Sequence, residues 1–175
     1  MMWRQHAAAL VGVFLFPATA HAYLDHLVLN VEPGLATLSE ASGRSWGGGG
    51  AVSGSTNITE RLSVQLHIDF KRFPNRNVPL DTTAWGGALV YNIDVGRVTP
   101  FLELGYGAVS IAIDDGGMFG PSEVPILGAG FNAVFADMFA WGFIVRYYPI
   151  LDTDLLSNPA YVTINARIGV RLGGS

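Results

Sequence analysis

Residues 62–71 read LSVQLHIDFK, and their alternation decides the fold. Leu62, Val64, Leu66, Ile68 and Phe70 alternate with Ser63, Gln65, His67, Asp69 and Lys71. A β-strand sends successive side chains to opposite faces, so one face here is oily and the other polar. A helix would instead repeat its apolar residues every three to four positions.

The same period recurs on both sides of this segment. Residues 27–38 place Leu27, Leu29, Val31 and Leu35 opposite Asn30 and Glu32, with a bulge or kink expected at Pro33. Residues 47–58 form a weak strand, nearly all Gly, Ala, Ser and Thr. In 83–93, Trp85, Leu89, Tyr91 and Ile93 share a face. In 98–111, Leu102, Leu104 and Tyr106 oppose Glu103, Gly105 and Gly107. Residues 124–135 set Leu127, Phe131 and Phe135 against Gly128, Gly130 and Asn132. Residues 139–148 set Phe139, Trp141, Phe143, Val145 and Tyr147 against Arg146. The last segment, 162–172, sets Val162, Ile164, Ala166, Ile168, Val170 and Leu172 against Thr163, Asn165, Arg167, Gly169 and Arg171.

These eight segments are joined alternately by long and short connections. Residues 39–46, 73–82, 112–123 and 149–160 read as long loops, holding Asp114, Asp115, Asp152, Asp154 and most of the Pro. Residues 59–61, 94–97 and 136–138 read as tight turns. Short turns on one side and longer loops on the other are the habit of membrane barrels.

Residues 1–22 read as a cleavable signal peptide. Arg4 and His6 precede the apolar run Ala7 to Phe16, Pro17 breaks it, and Ala20-His21-Ala22 offers a small-x-small cleavage site. The run is too short to span a bilayer, which takes about 20 apolar residues. The expected mature domain is therefore 23–175.

Composition narrows the class. Of 175 residues half are hydrophobic, only 14% are charged and 22 are Gly. Such a chain is too apolar for disorder. The 10 Lys and Arg against 14 Asp and Glu exclude the basic surface that nucleic acid needs. There is no Cys, hence no disulfide, thiolate nucleophile or Cys metal site. A soluble sheet wets its polar face with charge. Here the polar faces are mostly Gly, Ser, Ala and Asn, with about one charge per strand, too sparse to coat a protein. Inverted polarity fits: oily faces toward lipid, small and polar faces toward a narrow lumen. Lipid offers no hydrogen bonds, so the sheet must close. The fold class is an all-β, eight-stranded antiparallel up-and-down transmembrane β-barrel after a signal peptide.

The segments RLSVQLHIDFKRF (61–73), VTPFLELGYGAVS (98–110), FADMFAWGFIVRYYPIL (135–151) and YVTINARIGVRL (161–172) carry a resemblance. The mature region resembles the OmpA/OmpX-like or OmpW-like outer-membrane β-barrel superfamily over essentially its full length. It departs in ending Leu172-Gly173-Gly174-Ser175, where such barrels usually end in an aromatic. The resemblance implies the outer membrane of a Gram-negative bacterium, with both termini periplasmic. It implies outer-membrane lipids and lipopolysaccharide as surroundings, the barrel-assembly machinery as a partner in biogenesis, and a monomer. With the eighth strand at the end of the chain, no periplasmic peptidoglycan-binding domain is expected.

Eight inward charges or titratable groups are the candidate site: Glu32, His67, Asp69, Lys71, Glu103, Arg146, Arg167 and Arg171. An eight-stranded barrel is just wide enough for side chains to fill it, so these groups are expected to pair in a polar network that plugs the lumen. Glu103 is expected on Arg146 or Arg167. Replacing Arg146 by Met is expected to leave folding largely intact if the network is only structural. His67 is expected to be a satisfied lumen histidine, since it lacks the His-x-Ser arrangement of the barrel deacylases. Asp114-Asp115-Gly116-Gly117 lacks the spacing of a calcium loop. No cofactor, metal or catalytic residue is expected. The reading is a structural or surface-interaction barrel. A narrow channel or transporter for small or apolar molecules is the alternative, and a lipid A-modifying enzyme ranks third. Leu and Phe pointing inward near the outer rim would favour the conduit; alternation places mostly Gly and charges there.

Overall fold

The computed structural model describes residues 27–40, 43–74, 79–93, 98–113, 117–136, 138–150 and 160–173. The expected signal peptide 1–22, His26, the expected tight turn 94–97, and Asp114, Asp115, Asp152 and Asp154 lie outside them. Eight strands follow in order: β1 (Leu27–Glu40), β2 (Gly43–Asn57), β3 (Leu62–Phe73), β4 (Leu80–Asn92), β5 (Val98–Ile113), β6 (Met118–Ala136), β7 (Phe139–Pro149) and β8 (Ala160–Leu172). Each pairs antiparallel with its neighbour, and β8 pairs with β1, closing the barrel. Closure leaves no strand edge unpaired, the condition for placing backbone in lipid.

The registers fix the geometry. Paired residues lead from Leu27 through Thr56, Val64, Leu89, Leu104, Leu127, Tyr147 and Val162 back to Thr37, ten residues further along β1. A stagger of that size on eight strands tilts them by about 40–45°. Each residue then climbs about 2.4 Å along the axis, and each step to the next strand about 3 Å. On this scale outward apolar side chains fill a band about 25 Å tall, the height expected of a membrane belt. Val31, Leu102, Leu104 and Ile168 stand in it more than half exposed. The outward charges Arg72, Asp81, Glu123 and Arg44 all lie above the band at the loop end, where Arg72 and Asp81 approach to 3.8 Å. Phe70, Trp85 and Tyr147 fall toward the loop side; Tyr91, Phe135, Phe139 and Trp141 fall toward the turn side. These are the two interface levels that aromatic rings favour.

Three expectations need correcting. Two of the long connections are largely strand: β1 runs to Glu40 and β2 begins at Gly43, while β5 runs to Ile113 and β6 begins at Met118. Pro33 causes no register shift, since it stays opposite Gly50; shifts occur instead at Val109/Ile111 and Val134/Ala136. The loop end of the lumen is apolar rather than Gly and charge. The strands continue past the points where their alternation fades, and this turns Leu38, Phe73, Leu80, Ile111 and Tyr161 inward. Of the tight turns, residues 58–62 are held by Thr59, whose Oγ1 accepts from the Leu62 amide at 3.0 Å, and by the Ile58 amide donating to the Leu62 carbonyl.

Candidate functional site: a three-layered lumen

Alternation and stagger together place the candidate charges. At mid-height Arg146 donates from Nη1 to Glu32 Oε2 at 2.7 Å and from Nε to Glu103 Oε1 at 3.0 Å. One guanidinium thus joins β7 to both β1 and β5 across the lumen. Arg167 Nε lies 3.0 Å from Glu32 Oε1, its Nη2 donates to Gln65 Oε1 at 2.6 Å, and its guanidinium stacks 5.2 Å over the Phe101 ring. Gln65 passes its own Nε2 to Glu103 Oε2, and Ser53 donates to Glu32. Every carboxylate oxygen of Glu32 and Glu103 therefore has a donor, which is what a buried charge requires.

A second centre sits higher. Lys71 donates to Asp69 Oδ1 at 2.7 Å, and Asn165 donates to Asp69 Oδ2 at 3.1 Å. Tyr161 and Thr82 extend it. His67 contacts Tyr148 OH through Nε2 at 3.0 Å rather than Asp69, while its Nδ1 stands 4.0 Å from Glu103. The buried set holds three carboxylates and three cations, all with side chains at 0–3% exposure.

Seven of the eight candidates are thus brought together, and one is not. Arg171 is exposed at the turn-end mouth, where its amide donates to the Met138 carbonyl. It lines the turn-end mouth from the inward face of β8, below the buried layer. Residues not singled out beforehand complete the site: Asn30, Ser53, Gln65, Tyr148, Tyr161 and Asn165. All lie on the inward alternation face, which is the one signal that marks them.

Above these centres is an apolar plug. Leu38, Phe73, Leu80, Val109, Ile126, Tyr148, Ile150 and Tyr161 pack into one buried cluster at the loop end. Tyr148 and Tyr161 rings stand 5.3 Å apart and serve both layers, burying rings in the plug while their hydroxyls bond His67 and Asp69. Below the network a polar vestibule of about 310 Å³ opens toward the turn end, with Arg167 and Gln65 among its lining residues.

Glycine makes room for the network. A Cβ on Gly128 would stand 2.9 Å from Glu103 Cβ and 3.3 Å from Glu103 Cδ. Gly128→Val therefore displaces Glu103 from Arg146, at an expected cost of about 1–3 kcal/mol. Gly48→Val is the control, because a Cβ there meets only Leu35 Cδ2 at 3.9 Å. Urea unfolding in phospholipid vesicles should separate the two; equal stabilities would mean that Glu103 moves aside without loss.

No protein-family model matches the chain, and no curated protein matches it in sequence. Solved structures do match its shape. Neisserial surface protein A superposes with a TM-score of 0.75 at 15% identity, covering 85% of this chain and 97% of that one. Ail, the attachment invasion locus protein of Yersinia pestis, gives 0.60 at 12% identity over 85% and 99%. The N-terminal β-barrel domain of Pseudomonas aeruginosa OprF gives 0.56 at 13% identity over 86% and 99%. The chain thus has the fold of the small eight-stranded outer-membrane β-barrels.

Proposed function

We propose that this chain is a non-conducting outer-membrane barrel with a structural or surface-interaction role, its lumen sealed from within. In this reading residues 1–22 are removed on export, the turn end faces the periplasm, and the strand tops above the apolar band stand outside. Outer-membrane lipids and lipopolysaccharide surround it, the barrel-assembly machinery inserts it, and it acts as a monomer. The observation that carries the reading is the double seal. Glu32, Glu103 and Arg146 bridge the lumen at 0% side-chain exposure, and the apolar plug closes it again above. Ions crossing would have to break buried ion pairs and then pass packed hydrocarbon, both costly.

Planar-bilayer recording tests this. The expected result is membrane insertion without a stable unit conductance. A reproducible unit conductance that changes in Arg146→Met would overturn the seal.

The second reading is a conduit for apolar molecules. It draws support from Leu38, Phe73, Leu80 and Ile126 turning inward toward the loop end. Their exposure of 0–5% argues against a standing path. A lipid A-modifying activity ranks below both, since His67 contacts Tyr148 rather than a serine. Lipid A from cells with and without the protein should be identical.

A further inference from the structure

The vestibule is a blind pocket if the lumen above it is sealed, and its lining has a definite chemistry. Amides dominate. Ser63 Oγ donates to Asn57 Oδ1 at 2.8 Å, and Asn92 Nδ2 donates to Ser63 Oγ at 3.0 Å. This chain leaves Asn57 Nδ2 and Asn92 Oδ1, one donor and one acceptor, without a protein partner among the described residues. Asn132, half-buried in the same wall, has neither end of its amide engaged by a described residue. Thr99 adds a hydroxyl to the lining, and Val28, Val90 and Ala140 form apolar patches between the polar groups.

Charge discriminates among ligand classes. Of the two arginines that line the pocket, Arg167 is already held by Glu32 and Gln65. That leaves Arg171 and Glu60, both exposed and of opposite sign. An anion would find one cation offset by one carboxylate, and a cation the reverse. Unpaired amides offer donor and acceptor side by side, the arrangement that matches vicinal hydroxyls. The volume of about 310 Å³ is at the small end for ligand pockets.

We propose that the turn-end vestibule binds a neutral, hydroxyl-rich solute of sugar size through Asn57, Asn92 and Asn132. The apolar patches meet the carbon-bound faces of the ring, and the amides meet its hydroxyls. The vestibule opens at the turn end and Asn57, Asn92 and Asn132 are only half-buried, so binding is weak, roughly in the millimolar range. The proposal rests on the seal above, because an open lumen would make this space a channel entrance. The conductance recording tests the seal separately.

The experiment is a titration followed by the side-chain amide resonances of asparagine in the ¹⁵N-labelled barrel. The protein is held in lauryldimethylamine oxide, since a glycoside detergent would compete. Glucose and N-acetylglucosamine are the probes, with inorganic phosphate and succinate as anionic counterparts. The expected result is saturable millimolar shifts of the Asn57, Asn92 and Asn132 amides with the sugars, at least tenfold weaker with the anions. Asn132→Leu, with folding checked by heat-modifiable mobility, should abolish the sugar shifts of Asn57 and Asn92. If Asn132→Leu fails to fold, Thr99→Val and Asn132→Asp serve in its place. Absence of saturable shifts, equal shifts with phosphate, or unchanged shifts in the folded variants would overturn the proposal.

Discussion

Replacing Arg146 by Met lowers the unfolding free energy by about 3–5 kcal/mol, the cost of leaving a buried charge without its partner. Arg146 is wholly buried and serves Glu32 and Glu103 at once. Without it, Arg167 remains on Glu32, and Glu103 keeps only the neutral Gln65 donor and the distant His67 ring. One carboxylate charge then lacks a counter-charge in a fully buried site. The sequence alone suggested that Arg146→Met would be tolerated, and the bridge explains why it should not be. Urea unfolding of the folded barrel in phospholipid vesicles measures the loss. Adding Glu103→Gln to Arg146→Met should return most of it, because a neutral amide needs no counter-charge. A stability loss below about 1 kcal/mol would show that water enters the lumen and screens the network.

The second large effect comes from the opposite face. Leu104 points outward at 63% exposure, close to the middle of the apolar band. Leu104→Arg should cost about 2–4 kcal/mol, the penalty for a cation at the bilayer midplane. Leu172→Arg, at the turn-side edge of the band, should cost about 0–1 kcal/mol. Leu172 is also exposed, at 42%, so the difference reports depth rather than packing. In a water-soluble barrel both substitutions would be nearly neutral surface changes.

How far the sequence reached depends on the length scale of the signal. The face of each side chain is a local matter, set by the period of two. Leu62 to Lys71, Phe139 to Tyr147 and Val162 to Leu172 all show the expected faces. Strand ends were harder to read. GRSWGGGG (43–50) has no alternation to read, because glycine carries no face, yet it pairs residue by residue with β1. The unread strand ends hid the plug: Phe73 and Leu80 fell in a supposed loop, and Tyr161 fell just outside the last expected strand. Pairings inside the lumen are a matter of stagger, which no local pattern encodes. Glu32 and Arg146 are 114 positions apart and meet because a ten-residue stagger brings β1 and β7 to one height across the lumen. Arg171 illustrates the same limit. Its face was legible, whereas its height, four residues below Arg167, separates it from every buried carboxylate.

Inverted polarity underlies all of this, and vesicle flotation tests it most directly. Residues 23–175 are refolded with phospholipid vesicles, floated through a sucrose gradient and washed with carbonate. The fractions are then run on a denaturing gel with and without boiling. Folded protein, identified by mobility that changes on boiling, should be found only with the floated vesicles. A folded, monodisperse barrel left in the aqueous fraction without detergent would contradict the account.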